Sequence, residues 1–102
     1  MMNRRPRIEF SREGLAELCR KHHIKRLAFF GSVLRDDFGP DSDVDLLYEF
    51  EEGHSPGWGI VDVMDDFSAF FGRPVDMVSF KYINHRLRAR ILADAQIQYE
   101  AA

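Results

Sequence analysis

Residues 27–49 read LAFFGSVLRDDFGPDSDVDLLYE, and this stretch decides the fold. It holds an apolar run, the pair Gly31 and Ser32, a polar loop, and the aspartates Asp43 and Asp45, which lead into a second apolar run. A short continuous apolar run that ends at a glycine indicates a strand covered on both faces. Because alternate side chains of a strand share a face, we expect Asp43 and Asp45 to point the same way.

The rest of the chain predicts helices and strands around this stretch. Helical spacing of apolar residues runs from a cap at Ser11 to near His23, from Trp58 to a stop at Gly72, and onward from a cap at Asn84. Strands are predicted at residues 27–30, 44–50, 75–79 and 96–99, with a brief helical turn at 32–35 and a loop at 36–42. The pattern predicts one α+β domain over residues 1–102, a small mixed sheet with helices packed against it.

The composition excludes several classes of protein. An apolar share of 45% with nine Phe suffices for a folded core, while a net charge of −3 indicates no general basic surface for nucleic acid. The single cysteine cannot form an internal disulfide, which fits a reducing compartment. No segment approaches the roughly 18 apolar residues of a membrane span, and the N-terminus has no apolar signal-peptide core. We therefore expect a soluble, cytoplasmic protein with no membrane contact.

A third aspartate completes a candidate metal site. Asp76 lies alone between Val75 and Met77 in a run that otherwise reads as buried, where a charge is costly unless it is paired or metal-bound. The carboxylates of Asp43 and Asp45 repel each other unless a cation lies between them. Because hard oxygen ligands favour Mg²⁺ or Mn²⁺, we expect these three aspartates to hold divalent ions.

The Gly-Ser pair has the features of a phosphate site. Gly31 allows a ligand to approach the backbone closely, and the turn that follows presents N–H groups to an anion. The Ser32 hydroxyl can cap that turn or bind phosphate. Arg35 either reaches a phosphate or pairs with a nearby aspartate, and both alternatives stay open. Each signal is weak alone, but the combination with three aspartates is more specific.

The remaining polar and reactive residues favour structural roles. Cys19 is expected to be a small core residue, and Ser42 to fix the loop before Asp43. The four histidines are dispersed and are expected to be structural or exposed: His22, His23, His54 and His85. Two sets of charges are expected to be solvated surface: Asp62, Asp65 and Asp66, and Arg86, Arg88 and Arg90. For the three arginines, a contact with the partner or acceptor is the less favoured alternative.

These residues carry a family resemblance. Gly31-Ser32, ten residues, then Asp43-Val44-Asp45 resembles the signature of the nucleotidyltransferase superfamily of DNA polymerase beta. The wider pattern, GSVLRDDFGPDSDVDLLYEF at 31–50 and GRPVDMVS at 72–79, resembles the minimal nucleotidyltransferases (MNT proteins) of prokaryotes. The similarity extends over nearly the whole chain. It departs at Asp36, where MNT proteins usually have glycine.

The resemblance implies a fold, a reaction and a partner. It implies the nucleotidyltransferase fold, with Asp43, Asp45 and Asp76 as the catalytic residues that bind two Mg²⁺ or Mn²⁺ ions, and with Asp76 also as the base. Gly31 and Ser32, with Arg35, would bind the nucleotide. The reaction moves a nucleoside monophosphate, here AMP from ATP, to an acceptor hydroxyl and releases pyrophosphate. The implied acceptor is a tyrosine of a HEPN-type toxin, so the chain would act as an antitoxin.

Two other functions remain as alternatives. The chain could neutralise its partner by occlusion, as a binding module without essential catalysis. Transfer to a small molecule such as an aminoglycoside is less favoured, because no second domain shapes a pocket for it. A homodimer could supply such a pocket, and the oligomeric state stays open.

Overall fold

The structure is a computed structural model, and it describes residues 8–34, 39, 42–54, 59–83 and 85–101. The elements in chain order are α1 (Arg12–Lys21), β1 (Ile24–Phe30), a 3₁₀ turn (Gly31–Leu34), β2 (Val44–Phe50), α2 (Ile60–Phe71), β3 (Val75–Ser79), a second 3₁₀ turn (Phe80–Tyr82), α3 (His85–Asp94) and β4 (Gln96–Glu100). Trp58 and Asn84, the predicted starts of two helices, lie outside the described residues. Within them, no helix has the length and apolar character needed to cross a membrane.

The four strands form one mixed sheet in the order β3-β2-β1-β4. β1 runs antiparallel to both β2 and β4, while β2 and β3 are parallel. Leu27, Ala28 and Phe29 of β1 are fully buried, which confirms a strand covered on both faces. The α+β prediction of a small mixed sheet with packed helices is also confirmed.

Each face of the sheet carries its own apolar cluster. The first face lies under α1 and α2, where Phe29 and Leu46 pack with Leu15 and Phe67. On the second face, Ala28 and Leu47 pack with Phe80 and Ile83, and Ile91 and Leu92 of α3 cover them. Neighbouring residues of β1 and β2 therefore alternate between two buried environments, as the pleat of a strand requires.

The start of β1 corrects one prediction. The strand begins at Ile24 and not at Leu27, because a basic residue in this segment finds partners across the sheet. Arg26 lies opposite Glu49 and donates to its carboxylate at 2.8 Å. The Arg26 guanidinium also lies 4.3 Å from the centre of the Phe80 ring. Such cross-strand pairs stabilise a sheet, so β1 extends three residues further toward the N-terminus than the apolar run alone predicted.

The predicted N-cap of α1 and the predicted C-terminal stop of α2 are confirmed. The Ser11 hydroxyl caps α1 by accepting a hydrogen bond from the Gly14 amide at 3.0 Å. α2 ends at Gly72, whose φ of 69° is the left-handed conformation that favours glycine. Cys19 is a core residue as predicted, and its burial raises the pKa of the thiol to about 12. It is therefore a protonated, inert thiol at neutral pH.

Two charged residues that the sequence placed on a solvated surface also make contacts with other elements. The Asp66 carboxylate lies 3.1 Å from Lys21 Nζ and 2.7 Å from His22 Nε2, so it joins α2 to the end of α1. Arg88 donates to the Phe80 carbonyl at 2.9 Å and so joins α3 to the second 3₁₀ turn. Asp62 and Asp65 are exposed, as predicted. The apolar periodicity of a helix shows which side faces the core. It cannot show that a neighbouring element supplies an ion-pair or hydrogen-bond partner to a residue beside that apolar face.

The Asp66 contacts predict a pH-dependent contribution to stability. Hydrogen bonds from Lys21 and then His22 hold the pKa of Asp66 below its ordinary value. Asp66→Asn should therefore lower the thermal unfolding midpoint at pH 7. The difference from wild type should disappear as the pH falls below about 4 and through the lowered pKa, because the wild-type carboxyl is then protonated as well.

Thermal unfolding of both proteins between pH 7 and pH 2 measures this difference. Asp62→Asn is the matched control, since it removes an exposed charge from the same helix and should show no such difference. A deficit in Asp66→Asn that persists unchanged at low pH would contradict the account.

Candidate active site

The pairing of two parallel strands brings the predicted carboxylates together. Asp45 of β2 lies directly opposite Asp76 of β3, so the two side chains leave the same face of the sheet from strands about 5 Å apart. Asp43 precedes β2 at the position that continues this face. All three aspartates therefore lie at the edge of the sheet where β2 and β3 begin.

This edge belongs to the second face of the sheet. Leu47 and Val78, two residues beyond Asp45 and Asp76, both pack in the cluster under α3. Phe30, which pairs with Asp45 across β1 and β2, packs in the same cluster. The aspartates therefore continue an apolar face at the point where it meets solvent.

The burial of these side chains corrects the argument made for Asp76. The sequence suggested a charge in a buried strand, but β3 is an edge strand and Asp76 is exposed. Asp43 is exposed as well, and Asp45 is half-buried. The cost of burying a charge therefore gives no reason to choose Asp76 as a metal ligand. The reason is its position directly opposite Asp45.

Gly31 lies against the Asp45 carboxylate. β1 ends at Phe30, opposite Asp45, and Gly31 follows with a φ of 72°. A Cβ added at Gly31 would overlap the Asp45 Oδ2 atom and lie 3.3 Å from Asp45 Cγ. Glycine is therefore required both by the backbone conformation and by the close approach of Asp45.

The turn after β1 is fixed to the core. Its residues Val33 and Leu34 are buried in the cluster of the first face. The Ser32 backbone lies within this turn, as predicted, while its side chain is outside what the structure describes. Arg35 and Asp36 also lie outside the described residues.

Sequence reasoning missed Arg73, which holds the loop before Asp43. Its Nη1 donates to the carbonyl of Gly39 at 2.5 Å and to the carbonyl of Ser42 at 3.2 Å. The Ser42 hydroxyl accepts from the Gly39 amide at 3.0 Å, which confirms the prediction that Ser42 fixes the loop. Arg73 falls between helix and strand, so no periodicity marked it.

The same connection joins the two aspartate-bearing strands. The Val44 amide donates to the Pro74 carbonyl at 3.0 Å. Arg73 and Pro74 therefore tie the segment that precedes Asp45 to the segment that precedes Asp76. These contacts fix the backbone positions from which the carboxylates project.

The donor set suits a hard divalent cation. Carboxylate oxygens on adjacent strands repel each other, and Mg²⁺ or Mn²⁺ is the partner that such oxygens prefer. Although all three aspartates are described, their ligand atoms do not form a group lying within 4.8 Å of one another. Rotation of the exposed Asp43 and Asp76 side chains would be needed to enclose an ion.

The comparisons with known proteins point to one protein family. The model of the nucleotidyltransferase domain family matches residues 11–98. A candidate protein adenylyltransferase of Methanocaldococcus jannaschii is 36% identical over 75 residues, which is 74% of this chain and 80% of that protein. The solved structure of a candidate minimal nucleotidyltransferase is 36% identical, with a TM-score of 0.69 over 83% of this chain and 86% of that one.

A more distant structural match shares the fold. It comes from a complex between a tri-AMPylated HEPN toxin of Shewanella oneidensis and an MNT antitoxin. The TM-score is 0.64 at 13% identity, over 88% of this chain and 70% of that one. At this identity the match shows the likeness of fold alone.

The Gly31 contact predicts the effect of one added methyl group. Gly31→Ala and Gly72→Ala both place alanine at a positive φ, so each should lower the free energy of unfolding by about 1–2 kcal/mol. A Cβ at Gly72 meets no atom within 4 Å, whereas a Cβ at Gly31 displaces the Asp45 carboxylate. Only Gly31→Ala should therefore weaken Mn²⁺ binding. The expected loss of affinity is about tenfold or more, because even changes next to a metal ligand cost that much.

Denaturant unfolding and Mn²⁺ calorimetry on the two variants measure these effects. Equal Mn²⁺ affinities for Gly31→Ala and Gly72→Ala would show that the contact between Gly31 and Asp45 has no bearing on metal binding.

Proposed function

The chain belongs to the nucleotidyltransferase domain family, as a minimal nucleotidyltransferase, and from this premise we propose that it transfers AMP from ATP to a tyrosine hydroxyl of a HEPN-type toxin. The transfer would neutralise the toxin, so the protein would act as an antitoxin. The observation that carries the proposal is the register of β2 and β3, which sets Asp45 opposite Asp76 beside Gly31.

The three aspartates would hold the metal ions of the reaction. Asp43, Asp45 and Asp76 present the oxygen donors that suit two Mg²⁺ ions, with Mn²⁺ as an alternative. When bound, such ions activate the acceptor hydroxyl and stabilise the charge on the leaving pyrophosphate. Asp45 is half-buried and lies against Gly31, whereas Asp43 and Asp76 approach from the exposed edge.

The residues around the aspartates would position the nucleotide and the acceptor. Gly31, Ser32 and Arg35 would contact the triphosphate of ATP. The Asp45 carboxylate takes the space beside Gly31 that a side chain would fill, so the triphosphate would meet the backbone N–H groups of the turn. The acceptor oxygen attacks the α-phosphorus, the bond to the β-phosphate oxygen breaks, and pyrophosphate leaves. Asp76, exposed on the edge strand, would take the proton of the acceptor hydroxyl.

The openness of the site supports a protein acceptor. Asp43 and Asp76 are exposed, so a side chain on the surface of another protein can reach them.

The comparisons support the same acceptor class. The relative from Methanocaldococcus jannaschii is named for protein adenylyltransferase activity. The Shewanella oneidensis complex contains an AMPylated HEPN toxin beside an MNT protein of similar fold. A HEPN-type toxin is therefore the acceptor to test first.

Labelled ATP provides the test of the proposed reaction. Wild-type protein with Mg²⁺ and α-³²P-ATP should label a HEPN-type toxin from the same genome. Asp76→Asn should slow the transfer by about 10²–10⁴-fold, the usual contribution of a general base, and Asp43→Asn should also abolish most of it. Asp62→Asn, which changes an exposed aspartate on α2, should transfer at the wild-type rate.

Neutralisation of the toxin distinguishes transfer from occlusion. A variant with all three aspartates changed to asparagine should bind the toxin and yet fail to protect cells from it. Full protection by this variant would instead establish occlusion by a binding module. Absence of label on the toxin with wild-type protein would contradict the proposed acceptor.

A further inference from the structure

A second group of metal-ligating side chains lies at the opposite end of β2 from the aspartates. It consists of His23, Glu51 and His54, whose ligand atoms all lie within 4.8 Å of one another. His23 Nδ1 is 3.9 Å from Glu51 Oε1, and the two imidazole rings stack with their centres 3.9 Å apart. We propose that this group, the His-Glu-His cluster, binds a transition-metal ion with the ligand preferences of Zn²⁺.

Backbone hydrogen bonds hold the three residues together. The Glu51 amide donates to the His23 carbonyl at 2.8 Å, which extends the antiparallel pairing of β1 and β2 by one step. The His54 amide donates to the Glu51 carbonyl at 2.9 Å, and Gly53 turns the chain between them with a φ of 82°. The spacing of the three side chains therefore follows from the sheet and from one tight turn.

The backbone of His23 is unusual. Among the described residues, it is the one non-glycine residue with a positive φ, at 58°. Histidine adopts this conformation more readily than most residues, yet it still carries a cost relative to a right-handed one. Non-glycine residues persist in such conformations where their surroundings determine them, and these residues concentrate at functional sites. Here the conformation accompanies the stacking of the His23 ring on His54.

The ligand types favour Zn²⁺ over Mg²⁺. Two imidazoles and one carboxylate form a set that Zn²⁺ accepts, with a fourth position left for water. Ligand atoms about 2 Å from a tetrahedral ion lie roughly 3.3 Å apart, so the cluster must close by an ångström or so. Parallel rings direct their nitrogen lone pairs side by side, and both rings must tilt to share an ion. His23 and Glu51 are 54% and 41% exposed, so solvent and not packing surrounds the atoms that move.

This cluster is separate from the aspartate site. Five residues of β2 lie between Asp45 and Glu51, and the six strand steps that join them place the two groups about 20 Å apart. The proposal therefore does not depend on the proposed reaction. An ion in the cluster would join the turn before β1 to the connection after β2, and it would stabilise the folded chain by mass action.

Other candidate zinc ligands nearby are already engaged. Burial keeps the pKa of the Cys19 thiol at about 12, so it offers no thiolate at neutral pH. His22 pairs with Asp66 at 2.7 Å on the first face. Neither side chain belongs to the His-Glu-His cluster.

Calorimetry with Zn²⁺ tests the proposal. The full chain without an affinity tag is used, with Asp43→Asn and Asp76→Asn so that the aspartate site cannot hold the ion. We expect one Zn²⁺ per chain and a higher thermal unfolding midpoint with Zn²⁺ than without it. Adding His54→Gln or Glu51→Gln should weaken binding by at least about tenfold, since even changes in outer-shell partners of a metal cost that much. Both should also abolish the Zn²⁺-dependent shift in midpoint.

Glu52→Gln is the matched control, because Glu52 is an exposed neighbour outside the cluster. It should bind Zn²⁺ as tightly as the parent protein. His23→Asn provides a third variant, because asparagine tolerates the positive φ at this position while removing the imidazole. The absence of saturable Zn²⁺ binding, or unchanged affinity in His54→Gln and Glu51→Gln, would overturn the proposal.

Discussion

The parallel ladder between β2 and β3 sets Asp45 opposite Asp76, and the candidate active site depends on that register. A shift of one residue would send one carboxylate to the other face of the sheet, into the apolar cluster under α1 and α2. Burial fixes the register from both sides, because Leu46 packs on the first face and Leu47 on the second. The hydrogen bond from Val44 to Pro74 extends the same alignment to the strand starts.

Local patterns in the sequence predicted most elements of the fold and placed the candidate aspartates on them. The apolar run before Gly31 predicted a strand covered on both faces, and Gly72 predicted the end of α2. Asp43 and Asp45 were expected on one face because a strand alternates. These inferences concern residues a few positions apart, where backbone geometry alone determines the outcome.

Pairings between distant segments could not be predicted in this way. The sequence placed Asp76 in a buried strand, because nothing in residues 75–79 shows that β3 lies at the edge of the sheet. The partners of Asp66 and Arg73 come from other elements and leave no trace in periodicity. His23 and His54 looked dispersed because each element was considered alone. Antiparallel pairing of β1 and β2 brings them together with Glu51.

Binding of Mn²⁺ followed by electron paramagnetic resonance is the most direct measurement of the central claim, that the β2–β3 register builds a divalent-metal site. With a non-hydrolysable ATP analogue, wild-type protein should bind two Mn²⁺ ions. Asp45→Asn should weaken Mn²⁺ binding by about tenfold or more, because even changes in residues that support a metal ligand cost that much. His54→Gln, at the other end of β2, should leave it unchanged. Equal Mn²⁺ affinity in wild type and Asp45→Asn would contradict the account.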